Sequence, residues 1–394
     1  MAPMMMHTPE GTRDLLYGEC LLRRMVQQRL TETFRRFGYS EIATPVVEYY
    51  DVFSKAGSDV PQEGTLKMID RSGRILVLRP DCTLPIARVT ATRLKHEPLP
   101  RRLYYSETIF RATTANAGHM GEIDQCGIEL IGAAGQRADA EAVALSLEGL
   151  KNCGLTHYRI ELGHAAFFKA LADELETDED TVESIRSLIE QKSFAALDDL
   201  LRERFSQKAS YRALRRLSRL FGGVEALDEA RSLTDNPAAL QALDELAAVY
   251  EELCAAGWGQ YVGFDLGLVH QIDYYTGLVF CGYVEGSGHV VVTGGRYDAL
   301  MEKFGRSAPA TGFAIDVDGV AAALPEAEQK PAEKLVHYEI GRLAAAMALQ
   351  QAAPEGAVEL SCCATVEGSR ALARKKGIAA LVILTAGGMT EEAI

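Results

Sequence analysis

The sequence contains no apolar run long enough to cross a membrane. Among its 394 residues, no stretch reaches the roughly 18 consecutive apolar residues that a membrane-spanning helix needs. Residues 1–10 contain no apolar segment of signal-peptide length. We therefore expect a cytoplasmic protein.

Positive charge is scarce. The chain has 41 Lys and Arg residues against 55 Asp and Glu residues, which gives a formal net charge of −14 at pH 7. Nucleic-acid-binding surfaces rely on basic residues that neutralise phosphates. The composition therefore disfavours a large non-specific nucleic-acid surface, although an acidic protein can still carry one local basic groove.

Cysteine pairs with zinc-binding spacing are also lacking. The eight cysteines are scattered and none forms a Cys-x-x-Cys pair, so we predict no metal site and expect reduced thiols. What the sequence does contain is 47% apolar and 24% charged residues. This mixture is typical of a globular protein with a sizeable core.

Apolar periodicity and turn residues divide the chain into helices and strands. These patterns predict a main domain built from residues 1–163 and 256–325. Residues 164–255 are rich in Ala, Leu, Glu, Asp and Arg with helical periodicity, and we interpret them as a helical insertion. A polar, Pro-flanked linker at 326–331 precedes a small α/β unit at 332–394.

Two neighbouring strands are predicted to pair in an antiparallel manner. Residues 102–111 are rich in aromatic and β-branched types, residues 122–131 form the return strand, and residues 116–118 lie between them as a turn. A further strand at 40–48 contains Pro45, which is typical of an edge or an interface.

Three polar residues near this predicted hairpin are candidates for ligand binding. Arg111 could hold a phosphate or carboxylate through its planar fork, or it could form a surface ion pair. Gln125 and Glu129 share one strand face. Glu129 lies in an apolar run, where a carboxylate is costly unless paired, so it suits either a hydrogen-bond-donating ligand or a structural ion pair.

Two further motifs lie between residues 270 and 300. Asp273-Tyr274-Tyr275 places two phenols beside a carboxylate, which suits a flat ligand or the core of a sheet. Residues 294–298, Gly-Gly-Arg-Tyr-Asp, could form a glycine turn that approaches a phosphate, although they lack the longer nucleotide-binding patterns.

In chain order, these motifs resemble those of histidyl-tRNA synthetase, a class II aminoacyl-tRNA synthetase. The resemblance covers nearly all of residues 7–320 apart from the insertion. It rests on the segments 9–16 (PEGTRDLL), 38–45 (GYSEIATP), 78–83 (LRPDCT), 110–111 (FR), 125–132 (QCGIELIG), 268–280 (LVHQIDYYTGLVF), 294–298 (GGRYD) and 312–315 (GFAI). It implies an α+β fold of the class II synthetase type, with a mixed, mostly antiparallel sheet flanked by helices, a helical insertion and a small C-terminal α/β unit.

The resemblance implies that most of the family's histidine pocket is kept. The matching positions are Asp81, Thr83, Arg111, Gln125, Glu129, Tyr274, Tyr275 and Tyr297. Asp81 stands where the family usually has a Glu, one methylene longer, which predicts a weaker contact with the α-amino group. Arg111 would hold the carboxylate of histidine, and Glu129 with a Tyr hydroxyl would bond the imidazole ring.

The positions that serve ATP in the family are different here. Thr113 stands where a Glu reads the adenine amino group, and Gly121, His270 and Gly319 stand where the family has arginines. Adenylation spreads negative charge over phosphate oxygens, and fixed cations provide much of its catalysis. We therefore expect no aminoacylation and assign no catalytic residue.

A kept pocket beside a lost ATP site resembles the regulatory subunits of short-form ATP phosphoribosyltransferase. This resemblance implies a homodimer that joins a separate short catalytic subunit, usually as a hetero-octamer. It also implies feedback by L-histidine on the first step of histidine biosynthesis, with no cofactor, tRNA or membrane for this chain. Two alternatives remain: a divergent active histidyl-tRNA synthetase, and a stand-alone histidine-binding module or a ligase with another acceptor.

Overall fold

A computed structural model of the protein describes residues 7–54, 64–112, 121–269, 275–327 and 330–394. The chain forms two compact units, Met1–Glu326 and Ala327–Ile394. In the described residues the α-helices are α1 (Gly18–Arg36), α2 (Tyr50–Ser54), α3 (Thr83–Thr92), α4 (Gln136–Asn152), α5 (Ala165–Asp173), α6 (Glu179–Glu190), α7 (Phe194–Phe205), α8 (Tyr211–Leu217), α9 (Val224–Arg231), α10 (Pro237–Ala255), α11 (Val317–Ala322), α12 (Leu343–Ala352) and α13 (Val366–Lys376). The strands are β1 (Ser40–Glu41), β2 (Val47–Tyr49), β3 (Lys67–Ile69), β4 (Ile75–Leu78), β5 (Arg101–Phe110), β6 (Glu122–Ile131), β7 (Tyr158–His164), β8 (Phe221–Gly222), β9 (Val262–Asp265), β10 (Leu278–Val284), β11 (Val292–Arg296), β12 (Ala310–Asp316), β13 (Lys334–Tyr338), β14 (Val358–Leu360), β15 (Ala380–Thr385) and β16 (Gly388–Ala393).

The first unit is built on a sheet to which nine of the described strands belong. Its order is β1-β5-β6-β12-β11-β10-β7-β9-β8. The pairs β1–β5 and β7–β9 are parallel, and all the other neighbours are antiparallel. The predicted mixed, mostly antiparallel sheet is therefore confirmed.

One face of this sheet is covered by α1 and α4. Val26, Leu30 and Phe34 recur every four residues along α1 and are fully buried, which is the stripe of an amphipathic helix packed on a core. They share an apolar cluster with Tyr104 of β5 and Ile128 of β6. α1 therefore packs on one face of the predicted hairpin of β5 and β6.

The other face of the same hairpin belongs to a second apolar cluster. Leu103 and Ile109 of β5 and Ile131 of β6 pack there with Leu84 and Ile86 of α3. Successive residues of a strand point to opposite faces, so the hairpin separates two cores. Glu129 lies on the face that carries this second cluster, opposite Leu103.

Residues 165–255 are mainly helical and lie in the same compact unit as the sheet. α10 begins at Pro237, and the side chain of Asn236 accepts the N–H of Ala238 at 2.9 Å. This is the helix start that the Asn-Pro pair predicts. The segment also contributes the edge strand β8, which pairs with β9.

The strand predicted at 40–48 is divided between two sheets. β1 pairs with β5 in the nine-stranded sheet, whereas β2 follows Pro45 and pairs with β4 in a three-stranded sheet of order β2-β4-β3. Proline has no N–H to give to a ladder, and the chain changes sheets at this residue.

The second unit is a four-stranded sheet of order β14-β13-β15-β16 with α12 and α13. The helices match the helical patterns at 340–351 and 368–375 of the sequence, and β14 and β15 match the strand patterns at 358–362 and 380–384. The strands β13 and β16 are additions that the sequence patterns did not indicate. β13 follows the polar linker directly, and β16 has a polar pattern with exposed residues.

Candidate functional site

One predicted pocket residue, Glu129, belongs to a row of facing positions across four neighbouring strands, β5, β6, β12 and β11. Glu129 of β6 lies opposite Leu103 of β5 and Gly312 of β12, and Gly312 lies opposite Gly295 of β11. Directly opposite residues of neighbouring strands point to the same face. These positions therefore form one row across the sheet.

Glycines in this row make room for the side chains that line the site. A methyl group at Gly312 would overlap the carboxylate of Glu129, and one at Gly295 would lie 2.7 Å from Cε1 of Tyr275. Glycine in a strand often marks such a close approach. Glu129 and Tyr275 can hold their positions only because these two residues lack a side chain.

Glu129 is the most deeply buried carboxyl group of the site. Its residue is 2% exposed, and the hydroxyl of Tyr297 donates a hydrogen bond to its carboxylate. Burial raises the pKa of Glu129 to about 8, against the hydrogen bonds from Tyr297 and Thr83 that lower it. Near pH 7 the group is therefore mostly protonated, and it can donate as well as accept a hydrogen bond.

Asp81 and Thr83 stand beside Glu129 at the start of α3. The Oδ1 atom of Asp81 accepts the N–H of Leu84 at 3.0 Å. Burial raises the pKa of Asp81, while that hydrogen bond and the positive charge of Arg111 act in the opposite direction. Thr83 is 9% exposed and donates to Glu129. The two carboxyl groups thus lie near each other in a poorly hydrated place.

Arg111 follows β5 and has an exposed side chain. Its Nε donates to the carbonyl of Pro80 at 3.5 Å, and its backbone N–H donates to the carbonyl of Gly121 at 2.7 Å. Among the described residues, no carboxylate lies within ion-pair distance of its guanidinium. The fork is therefore available to an anionic group, and the surface ion pair is not found in this part of the chain.

The remaining pocket positions are partly described. Gln125 is half-buried, between Glu107 of β5 and Asp316 of β12 in register. Tyr275 is half-buried against the second cluster. Tyr274, with Asp273, lies outside the described residues.

The predicted glycine turn at 294–298 is wrong. Gly294 and Gly295 lie inside β11, and Arg296 ends the strand with its side chain buried. Its Nε donates to Asp139 at 3.0 Å, and its other nitrogens bond backbone carbonyls and Asp298. This arginine ties β11 to α4 and is not available to a phosphate.

Two residues of the site were missed by the sequence patterns. A methyl group at Gly127 would lie 2.5 Å from the hydroxyl oxygen of Tyr105, so Tyr105 crosses over β6 beside Glu129. Arg79 is 1% exposed, donates to the carbonyls of Thr44 at 2.7 Å and Thr108 at 2.8 Å, and pairs with Glu107. It anchors the loop that presents Asp81.

The ATP positions of the synthetase family carry no cation in the described residues. Gly121 is buried, and a methyl group there would lie 2.9 Å from the carbonyl oxygen of Arg111. At Gly319 in α11, a methyl group would lie 2.8 Å from Cγ1 of Val291 and 3.0 Å from Nε2 of His289. Thr113 and His270 lie outside the described residues.

Comparison with known proteins identifies the family of this chain. The family model of histidyl-tRNA synthetase matches residues 11–320. The ATP phosphoribosyltransferase regulatory subunit of Clostridium kluyveri is 43% identical over 82% of this chain and 83% of its own length. The chain belongs to the ATP phosphoribosyltransferase regulatory subunits of the histidyl-tRNA synthetase family. The Bacillus cereus member of this family is 38% identical over 95% of this chain and 90% of its own length.

Solved structures of this family have the same fold. An ATP phosphoribosyltransferase regulatory subunit/histidyl-tRNA synthetase from Bacillus halodurans matches with a TM-score of 0.83 and 32% identity, over 97% of this chain and 98% of its own. Histidyl-tRNA synthetase from Nostoc sp. PCC 7120 matches with a TM-score of 0.77 at 20% identity, over 98% and 96%. The second likeness concerns the fold alone.

Metal centres and membrane spans are not formed by the described part of the chain. No group of three or more His, Cys, Asp or Glu side chains is arranged to hold a metal ion among these residues. None of the described helices is both long and apolar enough to span a bilayer.

Proposed function

We propose that this chain is a regulatory subunit of ATP phosphoribosyltransferase that binds L-histidine in the pocket around Glu129 and performs no catalysis itself. The observation that carries the proposal is the contrast between the amino-acid end around Glu129 and the ATP end at positions 121 and 319. The amino-acid end has a buried carboxyl group with hydrogen-bonding neighbours, and the ATP end has two glycines where the synthetase family has arginines.

Histidine fits the chemistry of the amino-acid end. At pH 7 an imidazole with its ordinary pKa of about 6.5 is mostly neutral, and so is Glu129. A neutral carboxyl group and a neutral imidazole each offer one donor and one acceptor, and they share a proton well. Tyr297 bonds the carboxyl group of Glu129, so this group is already oriented when it contacts the imidazole ring.

The other functional groups of histidine would be held at the edges of the pocket. Arg111 offers a planar fork to the α-carboxylate. Asp81, Thr83 and Gln125 offer oxygen acceptors to the α-ammonium group, and Tyr274 and Tyr275 would line the ring. An ammonium group beside Asp81 would favour the charged form of that carboxylate, which burial disfavours in the free protein.

The missing donor side chains at the ATP end lead us to expect no catalysis by this chain. Pyrophosphate release from ATP builds charge on several phosphate oxygens, and removal of one preorganised donor usually costs a factor of about 10² to 10³ in rate. Positions 121 and 319 carry no donor side chain here. The phosphoribosyl transfer of the complex would then reside in a separate catalytic subunit, with histidine coupling the two sites by a few kcal/mol at most.

A second copy of this chain would cover the apolar surface around the three-stranded sheet. Apolar side chains are exposed on both faces of this sheet and beside its strands, and the largest exposure is 75% at Ile69. Contiguous exposed apolar surface usually marks an interface. The exposed residues of this surface are Val46, Val47, Tyr49, Leu66, Met68, Ile69 and Ile75.

The dimer can be tested by placing a charge on that surface. Val46→Asp should give monomers by analytical ultracentrifugation, because a buried unpaired carboxylate opposes association. Val224→Asp is a matched control, since Val224 is 45% exposed and lies on α9 rather than on this sheet. A dimer that survives Val46→Asp unchanged would refute this interface. A hetero-octamer with the catalytic subunit is the assembly we expect.

The function is tested by reconstitution with the short catalytic subunit of the same organism. Formation of phosphoribosyl-ATP should depend on this chain and fall as histidine is added. No effect of this chain at any ratio would overturn the proposal. Histidine-dependent ATP–pyrophosphate exchange by this chain alone would instead identify an active synthetase.

A further inference from the structure

An arginine stripe runs along one side of α8, far in sequence from the histidine pocket. Arg212, Arg215, Arg216 and Arg219 have the spacing i, i+3, i+4 and i+7, which places them on one face of a helix and the turn after it. The opposite face of α8 is buried through Ala213, Leu214 and Leu217. Four positive charges are thus collected on one side in a protein of net charge −14.

The stripe lines an open cavity of about 740 Å³ between α7, α8 and α9. The other charged residues of its lining are Asp198 of α7, which pairs with Arg215, and Glu229 of α9, which accepts from Nε of Arg216 at 2.9 Å. Four arginines against two carboxylates leave the lining with a charge of +2.

Two arginines of the stripe have no carboxylate partner in the described part of the chain. Arg212 is exposed and forms no ion pair there. The guanidinium of Arg219 lies over the ring of Phe194 at 5.0 Å from its centroid. Like charges at i, i+3 and i, i+4 repel each other in a helix. An anion shared by Arg212 and Arg219 would relieve that repulsion.

We propose that this cavity binds a small metabolite carrying a polyphosphate or several phosphates. Its volume is in the range of small-molecule sites, and planar guanidinium groups are the side chains best matched to phosphate oxygens. A single negative charge would leave the lining positive, so the ligand needs at least two. Phe194, 39% exposed at the lining, offers an apolar surface for the remainder of the ligand. This site is independent of the proposed histidine pocket.

The proposal is tested by calorimetric titration of the full chain with ATP and, separately, with inorganic tripolyphosphate. Both should bind at low salt and weaken as salt is raised. Arg212→Ala and Arg219→Ala should each weaken tripolyphosphate binding about tenfold or more, since a charge-assisted hydrogen bond is lost. Arg212→Lys should recover part of the affinity, because the charge returns without the fork.

Matched variants separate this cavity from anion binding elsewhere on the protein. Arg202→Ala removes an arginine from α7 that pairs with Asp199 outside the cavity lining, and it should leave the affinity unchanged. Histidine binding should be equal in all these variants. Tighter binding of ATP than of tripolyphosphate, lost in Phe194→Ala, would indicate a nucleotide, and equal binding would indicate the phosphates alone. Failure of both probes to bind, or binding unchanged in Arg212→Ala/Arg219→Ala, would overturn the proposal.

Discussion

Two groups of positions have different chemistry in this protein: the proposed amino-acid end around Glu129, and the proposed ATP end at Gly121 and Gly319. At the amino-acid end, Glu129 is buried with Tyr297 and Thr83 as hydrogen-bonding partners. At the ATP end, Gly121 and Gly319 are enclosed by neighbouring atoms that leave no room for a Cβ. The first end has oriented polar groups for recognition, and these two positions offer none for stabilising phosphate charge.

Packing opposes a side chain at one of the two positions of the proposed ATP end. At Gly319 the nearest atoms to a new Cβ belong to Val291, which is 1% exposed and stiff, and to His289, which bonds Asp316 at 2.8 Å. Side chains in a packed core cannot move aside without cost. A Cβ at position 319 would therefore require Val291 to shift.

The largest expected effect is that of Glu129 titration on the free energy of unfolding, which tests whether the amino-acid end is as buried as the structure shows. The pKa of Glu129 in the folded protein is about 8 against an ordinary 4.5, so between these values the folded state binds more protons than the unfolded state. The stabilising contribution is full below about pH 4.5 and is lost as pH rises through 8. At about 1.4 kcal/mol per pKa unit, the loss amounts to a few kcal/mol.

This pH dependence is measured by urea unfolding at several pH values between about 5 and 9. The free energy of unfolding of the unaltered protein should fall more steeply with pH than that of Glu129→Gln, which does not titrate. Parallel curves for the two proteins would show that Glu129 is ionised already at neutral pH.

Removal of the Glu129 carboxyl group tests the amino-acid end directly. Glu129→Ala should weaken histidine binding by about 2–3 kcal/mol, or roughly a hundredfold, because the imidazole loses its buried partner. Calorimetric titration gives the affinity, and Glu251→Ala on the exposed side of α10 is the control. Normal histidine binding by Glu129→Ala would refute the pocket.

Gly319→Arg tests whether the ATP end can be restored. The variant should show no histidine-dependent pyrophosphate exchange and should unfold more easily by about 1–3 kcal/mol, because the new Cβ would lie 2.8 Å from Val291. Gly288→Arg is the control, since no atom lies within 4 Å of a Cβ there. Recovered exchange would mean that this single position decides activity.

The smallest effect is expected from Thr83→Val. It removes one hydroxyl that bonds Glu129, which should weaken histidine binding by about 1 kcal/mol, or roughly fivefold. The pKa of Glu129 should also rise further, because the bond from Thr83 lowers it. Thr92→Val alters the same helix at an exposed hydroxyl that bonds Arg88, and equal effects of the two variants would remove Thr83 from the site.

Much of the fold could be predicted because its patterns are local. β6 has the predicted bounds, and β5 begins and ends one residue before its predicted bounds. The change of sheet at Pro45 could not be predicted, because it depends on which strands β1 and β2 find as partners. β16 was missed because its residues are polar and mostly exposed, so no apolar alternation marks it.

The candidate site likewise contains residues that the sequence could predict and residues that it could not. Glu129 could be found because a carboxylate in an apolar run is unusual. Tyr105 could not, because its place beside Glu129 depends on the register of β5 against β6 and on Gly127 beneath it. The structural role of Arg296 was likewise hidden, since its partner Asp139 is far away in sequence.

The glycines of the pocket row carry a consequence for how this protein can change. Gly312 and Gly295 set the depth of the site by the atoms they lack, and any side chain there collides with Glu129 or Tyr275. In a saturation mutagenesis screen for histidine response, Gly312 and Gly295 should tolerate no substitution. Other positions that line the pocket should tolerate some. A change of ligand preference would then have to come from the side chains around the pocket, while Gly312 and Gly295 stay unchanged.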